Sequence, residues 1–209
     1  DTAKAIAKLL LEINAIKLSV DNPFTWASGW KSPIYCDNRL SLSYPSVRKF
    51  IKEKIAESIL SNFPEVEAIV GVATAGIPQG ALVAEALEKP FIYAGSKSKG
   101  HGMENMIEGQ VTPNQKVVVI EDLVSTGGSS LKAIEALSAN SIQVLGMVSM
   151  FTYGVPVANQ NFKNAGVKLI SLSNYNELID TALNLKYINS QQVEQLKSWR
   201  EDPGAWRQS

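Results

Sequence analysis

One stretch constrains the fold more than any other. Lys116-Val117-Val118-Val119-Ile120 is an apolar run that leads into Glu121-Asp122-Leu123-Val124, then Ser125-Thr126-Gly127-Gly128-Ser129-Ser130, where a helical pattern begins. A continuous apolar run of this length, without alternation, belongs to a strand buried on both faces, and such strands sit in parallel sheets covered by helices. The same short-run-then-helix rhythm recurs on either side. Strands are expected at 68–72, 91–93, 116–120, 144–150 and 167–171. Helices are expected at about 78–87, 129–140, 157–164, 177–184 and 191–200. The class is therefore α/β, with a central, mainly parallel sheet flanked by helices.

Ahead of this core, Ala3, Ile6, Leu9, Leu10, Ile13 and Ile16 recur at helical spacing and predict a first helix ending near Ser19. Runs at 24–26 and 34–37 read as a hairpin whose exposed tip, residues 28–33, carries Lys31. Pro45 opens a second helix that closes at 62–64. Residues 94–110 show neither period and read as a mobile loop. One domain over 1–209 is expected, with a small N-terminal hood (helix plus hairpin, largely 1–40) and a core from about 45.

The loop after the central run is suited to a phosphate monoester. Glycines let the backbone close around a ligand, amides and hydroxyls donate to its oxygens, and the helix N-terminus adds a favourable dipole. It is neither a Walker loop nor a dinucleotide fingerprint, because both spacings are missing. Glu121 and Asp122 repel a polyphosphate laid on them but accept hydrogen bonds from a sugar diol. A diol followed by a phosphate describes ribose 5-phosphate. The bland alternative is a serine-capped helix after a strand that ends in water.

Charge and composition narrow the partners. Lys plus Arg and Asp plus Glu number 20 each, so nothing global attracts a nucleic acid or a membrane. The single Cys36 and single His101 exclude an internal disulfide and a Cys- or His-rich metal centre. No apolar run reaches the roughly 18 residues of a membrane span, and the first residues lack a signal-peptide pattern. A cytoplasmic protein is expected.

The loop 121–130 resembles the phosphoribosyl pyrophosphate (PRPP) signature of the type I phosphoribosyltransferases. Three further segments occur in the order of the orotate-specific members: Ser28-Gly29-Trp30-Lys31-Ser32-Pro33-Ile34-Tyr35, Gly71-Val72-Ala73-Thr74-Ala75-Gly76-Ile77-Pro78, and Lys97-Ser98-Lys99-Gly100-His101-Gly102. The resemblance spans nearly the whole chain. It implies the type I phosphoribosyltransferase fold and transfer of phosphoribosyl from PRPP to N1 of orotate, giving orotidine 5′-monophosphate and pyrophosphate in pyrimidine biosynthesis.

Roles follow from the resemblance. PRPP falls to Glu121, Asp122, Leu123, Val124, Ser125, Thr126, Gly127, Gly128 and Ser129, to Thr74 and Ala75 at the pyrophosphate, and to Lys97, Lys99 and His101 on a mobile loop that closes over the neighbouring subunit's site. Lys99, His101 and Asp122 are the implied catalytic residues, and Lys31 and Ser125 the orotate contacts. Mg2+ is implied as cofactor, held through PRPP and water without a protein cage, and a homodimer is implied by the loop acting in trans. Phe24, Trp26 and Tyr35 either face the base or pack under the hairpin, and packing is favoured because alternate strand positions bury one face.

The chain departs from the family pattern at Gly95 and at Phe151-Thr152-Tyr153, where relatives carry an arginine, and at Ala75, where some carry a lysine. Lys97 is a candidate substitute. The alternatives are a transferase for another base, a PRPP-binding regulator without catalysis, and a nucleotide-binding interaction module.

Overall fold

The computed structural model describes residues 1–95 and 106–207. Its centre is a six-stranded sheet in the order β10-β9-β8-β5-β6-β7. The strands are β5 (Ala68–Val72), β6 (Phe91–Ala94), β7 (Ile107–Glu108), β8 (Lys116–Val124), β9 (Gln143–Thr152) and β10 (Leu169–Asn174). Every pairing is parallel except β6 with β7. All five residues of β5 and the run Val117 to Ile120 of β8 are buried, as the unbroken apolar runs require. The helices α2 (Pro45–Asn62), α3 (Gly76–Leu87), α4 (Gly128–Ala139), α5 (Pro156–Ala165), α6 (Tyr175–Asn184) and α7 (Ser190–Glu201) complete the expected alternation.

Close approach brings α3 onto the sheet. A Cβ on Gly76 would lie 2.5 Å from the Ile120 carbonyl oxygen, so only a glycine lets this helix start against β8.

Two expectations for the N-terminal unit are corrected. The first helix, α1 (Thr2–Glu12), stops short of Ser19 because Asn14 turns the chain with φ 58°, a conformation that asparagine tolerates. Ile16 therefore lies on a strand, β1 (Ile16–Leu18), which pairs antiparallel with β4 (Ile34–Cys36). The hairpin is β2 (Phe24–Thr25) with β3 (Lys31–Ser32), so Lys31 sits within a strand and its tip is residues 26–30. In the core, β8 runs four residues further than expected and carries Glu121, Asp122, Leu123 and Val124 itself, because β9 pairs with it as far as Thr152. The segment 94–110 also departs from a plain loop: Ala94 ends β6, and Ile107 and Glu108 form an edge strand beside it.

Candidate functional site

Strands β5 and β8 are parallel neighbours, with Gly71 opposite Ile120, so the segments that follow them emerge at one edge of the sheet. This is the edge at which open α/β sheets bind ligands. There the structure brings together Thr74 and Ala75 after β5, Glu121 to Val124 at the end of β8, and Ser125, Thr126, Gly127, Gly128 and Ser129 at the start of α4. The Ala73–Thr74 peptide bond is cis.

The helix starts divide into two kinds. α1, α6 and α7 begin under side-chain caps from Asp1, Asn174 and Asn189, and α2 and α5 begin on a proline. α3 and α4 begin with neither: their N-caps, Ala75 and Gly127, contribute no side-chain hydrogen bond. The positive ends of two helix dipoles, neither covered by a side-chain cap, thus meet at the edge where the acidic pair lies. Gly127 is fixed twice over. Its φ is +83°, and a Cβ there would meet the Phe162 ring at 2.5 Å. Asn161 of α5 donates to the Thr126 carbonyl at 3.1 Å and steadies the loop from behind.

Glu121 is buried. Its Oε2 accepts from Ser130 Oγ at 2.9 Å and its Oε1 from the Asp122 amide at 3.0 Å. Burial, then the neighbouring Asp122 carboxylate, pushes its carboxyl up to about 8. Burial raises Asp122 as well, while hydrogen bonds from Glu121 and from backbone amides, and the Arg39 cation, pull it back. Burial thus raises both carboxyls above the ordinary carboxylate range, and the two titrate as a coupled pair. Two adjacent carboxyls at the end of a strand offer oxygens at the spacing of a diol's hydroxyls.

Sequence reasoning gave no role to two supporting residues. Ser130 holds Glu121, and its place in the hydroxyl-rich loop was the available signal. Asn38, 2% exposed, donates to the Asp122 carbonyl at 2.9 Å and accepts from Cys36 Sγ at 3.0 Å, tying the N-terminal unit to the acidic strand. The chain separation of 84 residues leaves no local signal for that contact.

Lys31 lies on β3, with its ammonium donating to Thr25 Oγ1 at 2.8 Å. The hairpin residues that border Ser125 and Thr126 are Trp26 and Trp30. Trp26 packs as expected, stacked on Tyr153 at 5.8 Å, whereas Tyr35 is exposed, 5.8 Å from Phe24. Tyr153 is buried among aromatic rings. Lys97, Lys99 and His101 lie outside the described residues.

Comparison with known proteins gives the same picture. Residues 42–184 match the phosphoribosyl transferase domain. The orotate phosphoribosyltransferase of Phocaeicola vulgatus is 58% identical over 203 residues, covering 97% of this chain and 96% of its own length. The crystal structure of orotate phosphoribosyltransferase from Aeropyrum pernix superposes with a TM-score of 0.76 at 29% identity, over 88% of this chain and 99% of that one. The structure of Leishmania donovani UMP synthase gives a TM-score of 0.79 at 25% identity over 95% of this chain, which spans 42% of that longer protein.

Proposed function

The chain belongs to the orotate phosphoribosyltransferases of the phosphoribosyl transferase family, and from that membership we propose how its residues carry out the family's reaction. Orotate N1 forms a bond to C1 of PRPP as the bond from C1 to pyrophosphate breaks, giving orotidine 5′-monophosphate for pyrimidine synthesis. The observation that carries this reading is the pair of helix starts without side-chain caps, α3 and α4, beside the acidic pair of buried Glu121 and half-buried Asp122.

The 5-phosphate of PRPP sits on the amides and hydroxyls of residues 125–129, approached through the backbone of Leu123 and Val124. Glu121 and Asp122 hold the ribose hydroxyls. Asp122 also favours the positive charge that develops at C1 as pyrophosphate departs. Thr74 and Ala75, at the start of α3, receive the pyrophosphate. Lys31 and Ser125 face orotate. Lys97, Lys99 and His101, contributed in trans by a second copy in a homodimer, neutralise the leaving group and exclude water.

Mg2+ bound to PRPP supplies further neutralisation of the pyrophosphate. Both Glu121 oxygens are already engaged, by Ser130 and the Asp122 amide. Among the described residues no group of three or more His, Cys, Asp or Glu gathers into a cage. When bound, Mg2+ would be held through the hard oxygens of PRPP and through water. No helix among the described residues is long and apolar enough to cross a membrane.

The test is loss of orotate absorbance on mixing the protein with orotate, PRPP and magnesium, with Lys99→Ala and a uracil substrate as controls. Magnesium-dependent turnover that needs Lys99 and ignores uracil is expected. PRPP binding without turnover of any base would instead mean a regulator of the same fold.

A further inference from the structure

The hairpin that carries Lys31 depends on its neighbours for its position. β2 and β3 are two residues each, and among the described residues they pair only with each other. A hairpin of this size is marginal in water on its own. Trp26 anchors it to an aromatic wall, stacked on Tyr153 and edge-on to Trp199 at 5.5 Å. The segment 202–207, which follows α7, supplies the second hold. Gly204 lies against Trp30, where a Cβ would come within 3.3 Å of the ring. Arg207 reaches back across 187 positions of sequence and donates through Nη1 to the Val20 carbonyl at 2.9 Å. We propose that Arg207 is a positioning residue for the transfer reaction: by fixing the chain at Val20, just ahead of β2, it sets where the hairpin presents Lys31 to orotate.

The guanidinium is itself held in place. Its Nη2 donates to Gln195 Oε1 of α7 at 3.2 Å, and the cation lies 4.8 Å from the centre of the Trp206 ring, which is buried in the core. The planar fork thus bridges α7 and the chain entering the hairpin with two diverging bonds. Arg207 also adopts φ +45°, a left-handed conformation that an L side chain keeps only where surrounding contacts over-determine it. The Val20 side chain is already buried, so the added bond acts on the direction in which the chain leaves Val20 for β2. The Ser19 amide donates to the Pro33 carbonyl at 2.8 Å, so the entry and exit of the hairpin move together.

The effect should be selective. The loop 125–129 takes its shape from α5, through Asn161 on the Thr126 carbonyl and Phe162 against Gly127, and Arg207 touches neither. Nor does Arg207 share in the Asn189 cap at the start of α7, so the stability of that helix start and the pose of the hairpin are separate quantities. Losing Arg207 should therefore weaken orotate and spare PRPP. The inference rests on the assignment of Lys31 to orotate.

Steady-state kinetics and amide hydrogen exchange on the full chain, with Arg207→Ala, Arg207→Lys and Lys31→Ala, test this. Arg207→Ala should raise KM for orotate about fivefold and leave KM for PRPP and kcat unchanged. It should also speed exchange of the Trp26 amide, which donates to the Trp30 carbonyl at 2.9 Å across the hairpin. Arg207→Lys, which keeps a charged donor for the Val20 carbonyl, should recover most of the orotate KM. Unchanged exchange in the hairpin overturns the proposal, as does a lower melting temperature with both KM values unchanged or raised equally. So does an unaffected orotate KM in Arg207→Ala beside a raised one in Lys31→Ala. Faster exchange with the orotate KM unchanged in both of those variants instead refutes the assignment of Lys31 and leaves Arg207's hold on the hairpin standing. A parent protein inactive on orotate refutes the transfer reaction, and hairpin exchange then decides on Arg207 alone.

Discussion

The two ends of this molecule begin their helices differently. At the C-terminal end, α7 starts under a reciprocal capping box between Asn189 and Gln192, with bonds of 2.9 Å in each direction, and α6 starts under Asn174. At the carboxyl edge of the sheet, α3 and α4 start without any side-chain cap, next to a buried acidic pair. One end satisfies its amides internally and contributes stability. The other starts its helices without side-chain caps and holds two carboxyls where burial opposes their charge. Stability and binding should therefore respond to substitution in opposite senses at the two ends, and four variants test that contrast.

Asp122→Asn carries the largest expected effect. Removing the charge opposite C1 should lower turnover by about 100- to 1,000-fold, while thermal melting holds or rises because a buried charge is gone. Loss of melting temperature in proportion to activity would place Asp122 with the stabilising groups.

Gly127→Val should destabilise by about 2–4 kcal/mol, since it combines a left-handed φ with a clash on Phe162. At about 2–4 °C per kcal/mol for a chain of this size, scanning calorimetry reads this easily. An unchanged melting point would mean that the loop re-forms elsewhere and that its shape is not set by this glycine.

Glu121→Gln tests the sign of the electrostatics. The folded carboxyl is raised to about 8, so from the ordinary carboxylate range up to that value the folded chain holds a proton that the unfolded chain has released. The carboxyl therefore costs stability progressively as pH rises through this window, and the cost is constant above it. The variant should melt higher than the parent at pH 8.5, with the gap closing towards pH 5, and it should bind PRPP more weakly. A gap that widens on acidification would reverse the assignment.

Asn189→Ala is the smallest and the mirror image. Loss of the capping box should cost about 1 kcal/mol of stability with kcat and KM for orotate unchanged. A change in KM would join the two ends that the comparison separates.

Legibility followed the distance over which each feature is encoded. The β8 strand, its carboxylates, the glycines and the helix start are contiguous, so the strand–loop–helix unit and its place in the sheet could be read directly. The extension of β8 through Val124 depended on pairing with β9, which is not visible in the strand itself. In the N-terminal unit, Ile13 and Ile16 fit helical spacing equally well whether or not Asn14 breaks the helix. β4 pairs with β1, across the intervening hairpin, and not with β2. Trp26, Tyr153 and Trp199 meet from three distant segments, so the aromatic wall had no local pattern. Asn38 was silent for the same reason, whereas Ser130 lay in plain view without a signal for its partner.

A structure of the protein soaked with orotidine 5′-monophosphate tests the central claim most directly. The account predicts the phosphate on the amides of residues 125–129 and the ribose hydroxyls within hydrogen-bonding distance of Glu121 and Asp122. A nucleotide bound with its phosphate away from the start of α4, or its sugar away from the acidic pair, would contradict it.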